Sequence, residues 1–430
     1  MGLLSFLISL FSSSPPLRAA ENAPEKIVLP NGLPVIYLKD DSSPLTVLKV
    51  LIDGGKEAQP PGLEGLAFLV GRLALEIPDE DKVQSMMSQA SRTGLIVRED
   101  FVLISLHCLS DNFEETVKIV SGIMRDPLFS GIRMDRIKSF MRHLGEREQD
   151  ESVNVGHLKN LAAIFGPSGY GSSVFGDEKS LKAIKKKDIT DFHGKYFTAG
   201  RMALAVSSDL DKTRILEVLQ KYFLKIPTEK RAEAGAQVVR ERPPAGAEKE
   251  IFAEKDTKQT MVSVCFPLPQ VSAENFLLAS LVENLLGKGI GSRLWPLRAK
   301  EKLAYSVNAQ ALLMKKGGLL EAYLETDAKK RESAREALRK TVSSLYEQGI
   351  TEDELAMTKA NAKGDFLREN ETKESRIGNM IAFEGLGLGY DFLNRFIDDL
   401  DAVRLDQVNA FIKEYLKPEK AILVFVGKKN

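Results

Sequence analysis

The 430-residue sequence has few residues of the types that build metal and redox sites. It has only two cysteines, Cys108 and Cys265, and no CxxC pair, so spacing predicts no thiolate zinc site. Both cysteines lie in strand-like apolar runs, and we expect them to be buried free thiols. The four histidines are scattered, with none within five residues of another: His107, His143, His157 and His193.

The sequence also lacks a net charge and a long internal apolar run. Lys plus Arg and Asp plus Glu both number 60. Nucleic-acid-binding proteins normally carry a basic excess, so the charge balance gives no support to that class of partner. No apolar stretch after the N-terminus is long enough to form a membrane helix. The length suffices for roughly two to four domains with a large core.

The N-terminal 20 residues have features of an export signal. The apolar run Leu3–Phe11 is too short to span a bilayer but long enough for a signal-peptide core. Ala19 and Ala20 are small residues suited to a cleavage site. The segment before the apolar run has no Lys or Arg, and Arg18 lies next to the cut, so an uncleaved apolar tail is the alternative. We predict a signal peptide over residues 1–20.

Two halves of the chain repeat the same order of strand-like and helix-like segments. The closing segments agree best: Lys195–Val206 (KYFTAGRMALAV) parallels Glu414–Phe425 (EYLKPEKAILVF). The pattern predicts an α+β protein with domains at 24–227 and 250–430, each a mostly antiparallel sheet covered by helices. Residues 228–249 are rich in Pro, Ala, Glu, Arg and Lys, which suits a linker. We expect the halves to face each other across a cleft.

The segment Gly287–Val307 (GKGIGSRLWPLRAKEKLAYSV) contains two residues that could bind a peptide. A Gly-rich turn leads into a predicted basic amphipathic helix, and a strand is predicted to open at Ala304–Val307. Arg298 offers a planar fork of donors and Tyr305 one hydroxyl. By itself, such a pair is equally compatible with an ordinary protein surface.

Several motifs together resemble one known family. In order they are LPNGL, GLEGLAFLVGR, KYFTAGRMALAV and SRLWPLRAKEKLAYSV. Their order and spacing are similar to those of the pitrilysin, insulysin and mitochondrial processing peptidase family, the zinc peptidases with an inverted motif. The resemblance covers nearly all residues after the N-terminal segment, and it implies the clamshell-half fold of that family.

The sequence departs from the family at the zinc motif. Active members carry H-x-x-E-H on the first helix, in which both His bind zinc and the Glu is the general base. Here Phe68, Gly71 and Arg72 occupy those three positions. Glu148 or Glu146 falls in the region of the distant zinc ligand. Catalytic zinc needs about three protein ligands plus an open position for water, so we predict no metal site in this chain.

The resemblance implies a role for Arg298 and Tyr305. In active relatives an Arg and a Tyr from the matching block bind the substrate carbonyl and stabilise the oxyanion. Some bacterial relatives divide the work, so that one chain carries the zinc motif and the other the Arg and Tyr. We therefore expect a zinc-free subunit of a heterodimeric peptidase in the bacterial periplasm. Its partner would be a homologous zinc-bearing subunit, and its substrates peptides or unfolded polypeptides.

Two other functions remain open. The chain could be a non-catalytic structural or peptide-binding protein, like the core proteins of respiratory complexes in the same family. It could also be a self-sufficient hydrolase with another mechanism, although no Ser-His-Asp or Cys-His arrangement is evident in the sequence. Whether the chain takes part in an enzyme therefore stays open at this point.

Further candidates for a substrate cleft follow from residue type. Trp295 could form part of its wall, and Gly385 and Gly387 could let a backbone approach closely. The strand predicted at Leu319–Thr326 could be an edge to which an extended peptide adds.

We expect the purified chain alone to hold no stoichiometric zinc and to cleave no peptide, because Phe cannot ligate zinc and Arg is a permanent cation. Elemental analysis and a peptide-cleavage assay check both statements. A content of about one zinc per chain, together with cleavage that a chelator abolishes, would contradict the prediction.

Overall fold

The computed structural model describes residues 23–228 and 249–429. The predicted signal peptide and nearly all of the predicted linker lie outside these residues. Within them, no helix is long and apolar enough to cross a membrane. Cys108 and Cys265 are buried free thiols, as expected, and burial raises the pKa of Cys108 to about 11.

The first half contains a six-stranded sheet, here called sheet A, with the spatial order β1-β2-β6-β3-β5-β4. Its strands are β1 (Glu25–Val28), β2 (Pro34–Lys39), β3 (Leu45–Ile52), β4 (Arg92–Val97), β5 (Val102–Leu109) and β6 (Met202–Ser208). The helices of this half are α1 (Leu66–Leu73), α2 (Glu80–Ser88), α3 (Phe113–Arg125), α4 (Gly131–Asp150), α5 (Ser152–Phe165), α6 (Glu178–Ala183), α7 (Lys186–Tyr196) and α8 (Lys212–Phe223).

The second half contains a five-stranded sheet, here called sheet B, with the order β7-β11-β8-β10-β9. Its strands are β7 (Lys249–Glu254), β8 (Gln259–Leu268), β9 (Ser306–Met314), β10 (Gly317–Asp327) and β11 (Ile422–Gly427). The helices of this half are α9 (Ala273–Gly287), α10 (Trp295–Ala299), α11 (Arg331–Gln348), α12 (Glu352–Glu369), α13 (Lys373–Leu386), α14 (Phe392–Ala402) and α15 (Leu405–Tyr415).

The two sheets share one topology. The order β2-β6-β3-β5-β4 in sheet A corresponds to β7-β11-β8-β10-β9 in sheet B. Each sheet has one parallel pair at the equivalent place, β2 with β6 and β7 with β11, and its other pairs are antiparallel. The predicted fold class, α+β with two mostly antiparallel sheets covered by helices, is confirmed.

The sequence prediction was wrong for two strands. The segment predicted at Leu319–Thr326 belongs to β10, which pairs on both sides, so β9 rather than β10 is the edge of sheet B. Strand β4 was not predicted, and it contains Gly94, a residue type that weakens strands. Gly94 instead allows close pairing, since a Cβ there would lie 2.6 Å from Ser105 Oγ on β5.

Each half covers one face of the other half's sheet with a helix. Helix α5 of the first half packs on β8 and β11 of sheet B, and α13 of the second half packs on β3 and β6 of sheet A. Leu161 of α5 is buried in one cluster with Met261 and Val424, and Ile381 of α13 in another with Val47 and Ala205. The exchange makes the two halves one folding unit, because neither sheet buries both faces alone.

Each exchanged helix also provides polar partners for a buried charged residue in the sheet that it covers. Lys49 on β3 is 3% exposed and pairs with Glu374 of α13 at 2.8 Å. Glu321 on β10 is fully buried and accepts hydrogen bonds from Asn160 Nδ2 at 2.6 Å and from Gln310 Nε2 at 2.9 Å. His157 Nδ1 of α5 lies 2.9 Å from the same carboxylate. Buried charges need such partners. These contacts therefore favour the fold with exchanged helices over compact folds in which α5 or α13 lies elsewhere.

Glycines on the exchanged helices allow this close packing. A Cβ added at Gly156 of α5 would lie 2.6 Å from Met261 Sδ, and one added at Gly385 of α13 would overlap Leu51 Cδ1 of β3. A Cβ at Gly378, on the same helix as Gly385, would meet only Lys49 Cε at 3.9 Å. Gly378 therefore provides a matched control for the packing at Gly385.

We expect Gly385→Ala to be less stable than Gly378→Ala by about 1–3 kcal/mol, because overpacking a filled contact costs that much. Both substitutions replace helical Gly by Ala, which alone favours the helix by up to ~1 kcal/mol. The free energies of unfolding from urea titrations of the two variants measure the difference. Equal stabilities would contradict a close contact between α13 and sheet A at this position.

Candidate functional site

The first zinc-ligand position holds an aromatic pair. Phe68 lies on α1, and its ring packs edge-to-face against Phe175, with 5.2 Å between the ring centroids. Helix α1 begins after Gly65, which has a φ of 94°, and Gln59 Oε1 accepts the Ala67 N–H at 3.0 Å. The first turn of the helix is therefore well fixed, and it presents an apolar ring where an active enzyme would present a ligand.

At the position of the general base, a side chain would contact Leu95. Gly71 is buried, and a Cβ there would lie 2.9 Å from Leu95 Cδ1 on the edge strand β4. Arg72, one turn after Phe68 on the same helix face, is exposed. All three positions thus carry residues that cannot form a zinc site.

The carboxylates proposed for the distant ligand have other partners. Glu148 on α4 accepts a hydrogen bond from Ser173 Oγ at 2.5 Å. Glu146 lies 3.2 Å from His143 Nδ1, and both side chains are 73% exposed. Helix α4 packs on α1, so Glu148 is on an element next to Phe68. Among residues 23–228 and 249–429, no group of three or more His, Cys, Asp or Glu residues is placed to hold a metal.

Arg298 lies on an anchored turn of the second half. The predicted amphipathic helix is in fact the five-residue α10, with Pro296 in its first turn. The turn before it is tied to α12 by Arg293, which donates two hydrogen bonds of 2.9 Å to Glu354. The exposed Arg298 guanidinium stacks over the Trp295 ring, with its carbon 5.2 Å from the ring centroid.

Tyr305 immediately precedes the edge strand β9. Its backbone N–H donates to the Glu325 carbonyl at 2.9 Å, and the neighbouring Ser306 hydroxyl donates to the Glu325 carboxylate at 2.7 Å. The side chain is nevertheless 58% exposed. Tyr305 and Arg298 therefore share one arrangement, in which the backbone is fixed and the hydrogen-bonding head is accessible to a second molecule.

The other cleft candidates lie apart in the fold. Trp295 is half-buried beside Arg298. Gly385 faces Leu51 on sheet A, and Gly387 ends α13 in the left-handed conformation with a φ of 85°. Helix packing and helix termination account for the two glycines. Their place in a substrate cleft stays a prediction.

Sequence reasoning missed Leu95, which closes the site of the general base. The signal that could have found it is the apolar run Leu95, Ile96 and Val97, two of whose residues are β-branched, which is typical of a strand.

Similarity to known proteins agrees with this geometry. Residues 183–362 match the family described as "Peptidase M16 inactive domain". The chain is 23% identical over 404 residues to the "Non-peptidase homolog YmxG" of Helicobacter pylori, covering 93% of this chain and 92% of that protein. Residues 183–362 belong to the M16 peptidase family, and the chain lacks the zinc motif of that family's active members. The M16 relatives thus include a protein named as lacking peptidase activity.

Solved structures show the same fold as this M16 chain. The M16 inactive-domain protein of Pseudomonas fluorescens superimposes with a TM-score of 0.85 at 21% identity, covering 95% of this chain and 98% of that one. A chain of complex III from Candida albicans superimposes with a TM-score of 0.80 at 15% identity, covering 94% and 95%.

We expect Gly71→Glu to destabilise the protein, and the loss to be smaller by about 0.5–3 kcal/mol when Leu95→Ala is already present, because the two residues compete for one space. Urea titrations of the two single variants, the double variant and the wild type measure this coupling. Gly122→Glu on α3 is the control, since a Cβ there meets nothing within 4 Å. Additive losses for Gly71→Glu and Leu95→Ala would show that Leu95 does not close the site.

Proposed function

We propose that the chain is the zinc-free subunit of a heteromeric M16 metallopeptidase. The observation that carries this proposal is the contrast between the two halves. Phe68, Phe175 and Leu95 fill the first half's zinc region with apolar groups. The second half instead holds Arg298 and Tyr305 on anchored backbones, with both side chains exposed.

The proposed chemistry of the pair is stabilisation of a developing oxyanion. A guanidinium only donates and a phenol can donate its O–H, so both suit a carbonyl oxygen that gains negative charge. Such donors accelerate a reaction only if they bind the transition state more tightly than the substrate. Zinc, the ligating histidines and the general base would come from the partner chain.

The partner in this proposal is a homologous M16 subunit that carries H-x-x-E-H. The substrate is a peptide or an unfolded polypeptide segment, and the compartment is the periplasm of a bacterium. The exposure of Arg298 and Tyr305 supports a partner. Among the described residues, Arg298 stacks on Trp295 and the Tyr305 backbone pairs with β10, which leaves both polar heads accessible.

A non-catalytic structural role is the second candidate. It is favoured by the relative named as a non-peptidase homologue and by the fold shared with a chain of complex III. In that role the core that the two halves share through α5 and α13 would support the assembly of a larger complex. Arg298 and Tyr305 would then be ordinary surface residues.

We expect Arg298→Ala and Tyr305→Phe each to lower kcat of the complex by roughly 10²–10³-fold with a smaller change in KM, since each removes a donor to the transition state. The experiment co-expresses the chain with a homologous H-x-x-E-H protein encoded in a neighbouring reading frame and assays peptide cleavage.

The matched controls are Arg404→Ala and Tyr346→Phe, which alter an Arg and a Tyr on other elements of the second half. Co-purification must be unchanged in all four variants, so that assembly is separated from turnover. Intact assembly with unchanged kcat in Arg298→Ala and Tyr305→Phe would favour the structural role.

A further inference from the structure

Residues 300–304, here called the connecting segment, follow α10 and lead to Tyr305, so their conformation sets where Tyr305 lies relative to Arg298. Lys302 in this segment has a φ of 51°, in the left-handed region. A lysine rarely adopts such a φ, and it keeps one only where the surrounding structure holds it there. The conformation of the connecting segment therefore depends on the groups that bind it.

Backbone hydrogen bonds hold the connecting segment at its two ends. The Leu303 N–H donates to the Leu297 carbonyl of α10 at 2.9 Å, and the Tyr305 N–H donates to the Glu325 carbonyl of β10 at 2.9 Å. The first bond attaches the segment to the helix that carries Arg298. The second attaches Tyr305 to sheet B.

Two side chains of the second half hold carbonyls of the connecting segment. Thr326 Oγ1 on β10 donates to the Leu303 carbonyl at 2.6 Å, and Lys330 Nζ donates to the Lys302 carbonyl at 3.0 Å. Thr326 is fully buried, whereas Lys330 is exposed. A long exposed lysine loses much rotamer freedom when it is held, and a short hydroxyl on a buried strand loses little. Thr326 is therefore the stronger of the two anchors.

The hydroxyl of Thr326 lies on an otherwise apolar face of β10. Leu320, Ala322 and Leu324 alternate along that face and are buried in one core cluster with helices of the second half. Packing alone would suit an apolar β-branched residue at the next position of the series. The connecting segment accounts for the hydroxyl, because the Leu303 carbonyl is its acceptor.

We propose that Thr326 is a positioning residue for Arg298 and Tyr305. By holding the Leu303 carbonyl, it fixes the connecting segment and thereby the place of the Arg298 guanidinium relative to the Tyr305 hydroxyl. This inference rests on the proposed function of the pair as oxyanion donors. Two donors stabilise one oxygen atom only when both are correctly placed, and a displacement of about 1 Å can cost roughly 10²-fold in rate.

Hydrogen exchange of the purified full chain, resolved to single amides, tests the anchor without an activity assay. Thr326→Val keeps the shape of the side chain and removes the hydroxyl. We expect the Leu303 and Tyr305 amides to exchange roughly 2- to 12-fold faster in this variant, the value of one hydrogen bond. Thr326→Ala compared with Thr326→Ser is a second pair that differs only in the hydroxyl and should show the same increase.

Thr358→Val is the matched control for the exchange experiment. Thr358 is 2% exposed, and its hydroxyl has no hydrogen-bond partner among residues 23–228 and 249–429. Its replacement should leave the exchange of Leu303 and Tyr305 unchanged. Equal exchange in the wild type and Thr326→Val, or in Thr326→Ser and Thr326→Ala, would overturn the proposal.

Kinetics of the complex with the zinc-bearing partner test the positioning role. We expect Thr326→Val to lower kcat by roughly 10- to 100-fold with a smaller change in KM, and Thr326→Ser to retain most of the rate. In a chain that already carries Arg298→Ala and Tyr305→Phe, Thr326→Val should lower kcat no further, because it acts only through that pair. An equally large further loss in that background would overturn the proposal.

The same kinetics separate failure of this inference from failure of the proposed function. If Arg298→Ala and Tyr305→Phe lower kcat but Thr326→Val does not, the positioning role is wrong and the proposed function stands. If Arg298→Ala and Tyr305→Phe leave kcat unchanged, the proposed function is wrong and the positioning role falls with it.

Discussion

The architecture depends on one reciprocal contact, in which each half places a helix on the other half's sheet. Strand β3 shows why this is needed. Seven of its eight residues are buried, so both faces of the strand require cover. Helices of the first half cover one face, and α13 of the second half packs on the other. The same holds for α5 on sheet B, so neither half would bury its apolar surface as an isolated domain.

The two buried charges make this contact specific. Lys49 in sheet A and Glu321 in sheet B each face the helix that comes from the other half. A buried charge without its partner costs several kcal/mol, so a compact state in which either helix is misplaced is disfavoured beyond its loss of apolar contacts. Burial lowers the pKa of His107, which lies 3.2 Å from Glu374, so the side chain adds little positive charge beside Lys49 at neutral pH.

The sequence predicts the repeated fold well because the repeat is local. Turn signals, the apolar spacing of α9 and α11 and the paired closing segments all act over short stretches of chain. The helix exchange could not be predicted, since the periodicity of α5 and α13 shows which helix faces are apolar but not which sheet they cover. Lys49 within the apolar run Leu45–Ile52 is the one local sign that a distant polar partner is required.

The candidate site also has one part that a local sequence motif indicates and another part that depends on contacts between distant segments. Arg298 and Tyr305 are visible in the sequence because they lie within seven residues of each other in one motif, and their role stays a prediction. The closure of the zinc region could not be predicted, because it depends on Leu95 and Phe175, which reach α1 from other parts of the chain. In the second half, sequence spacing also does not show which helix holds the turn before Arg298. Helix α12 holds the turn before Arg298, because Glu354 near its N-terminus accepts two hydrogen bonds from Arg293.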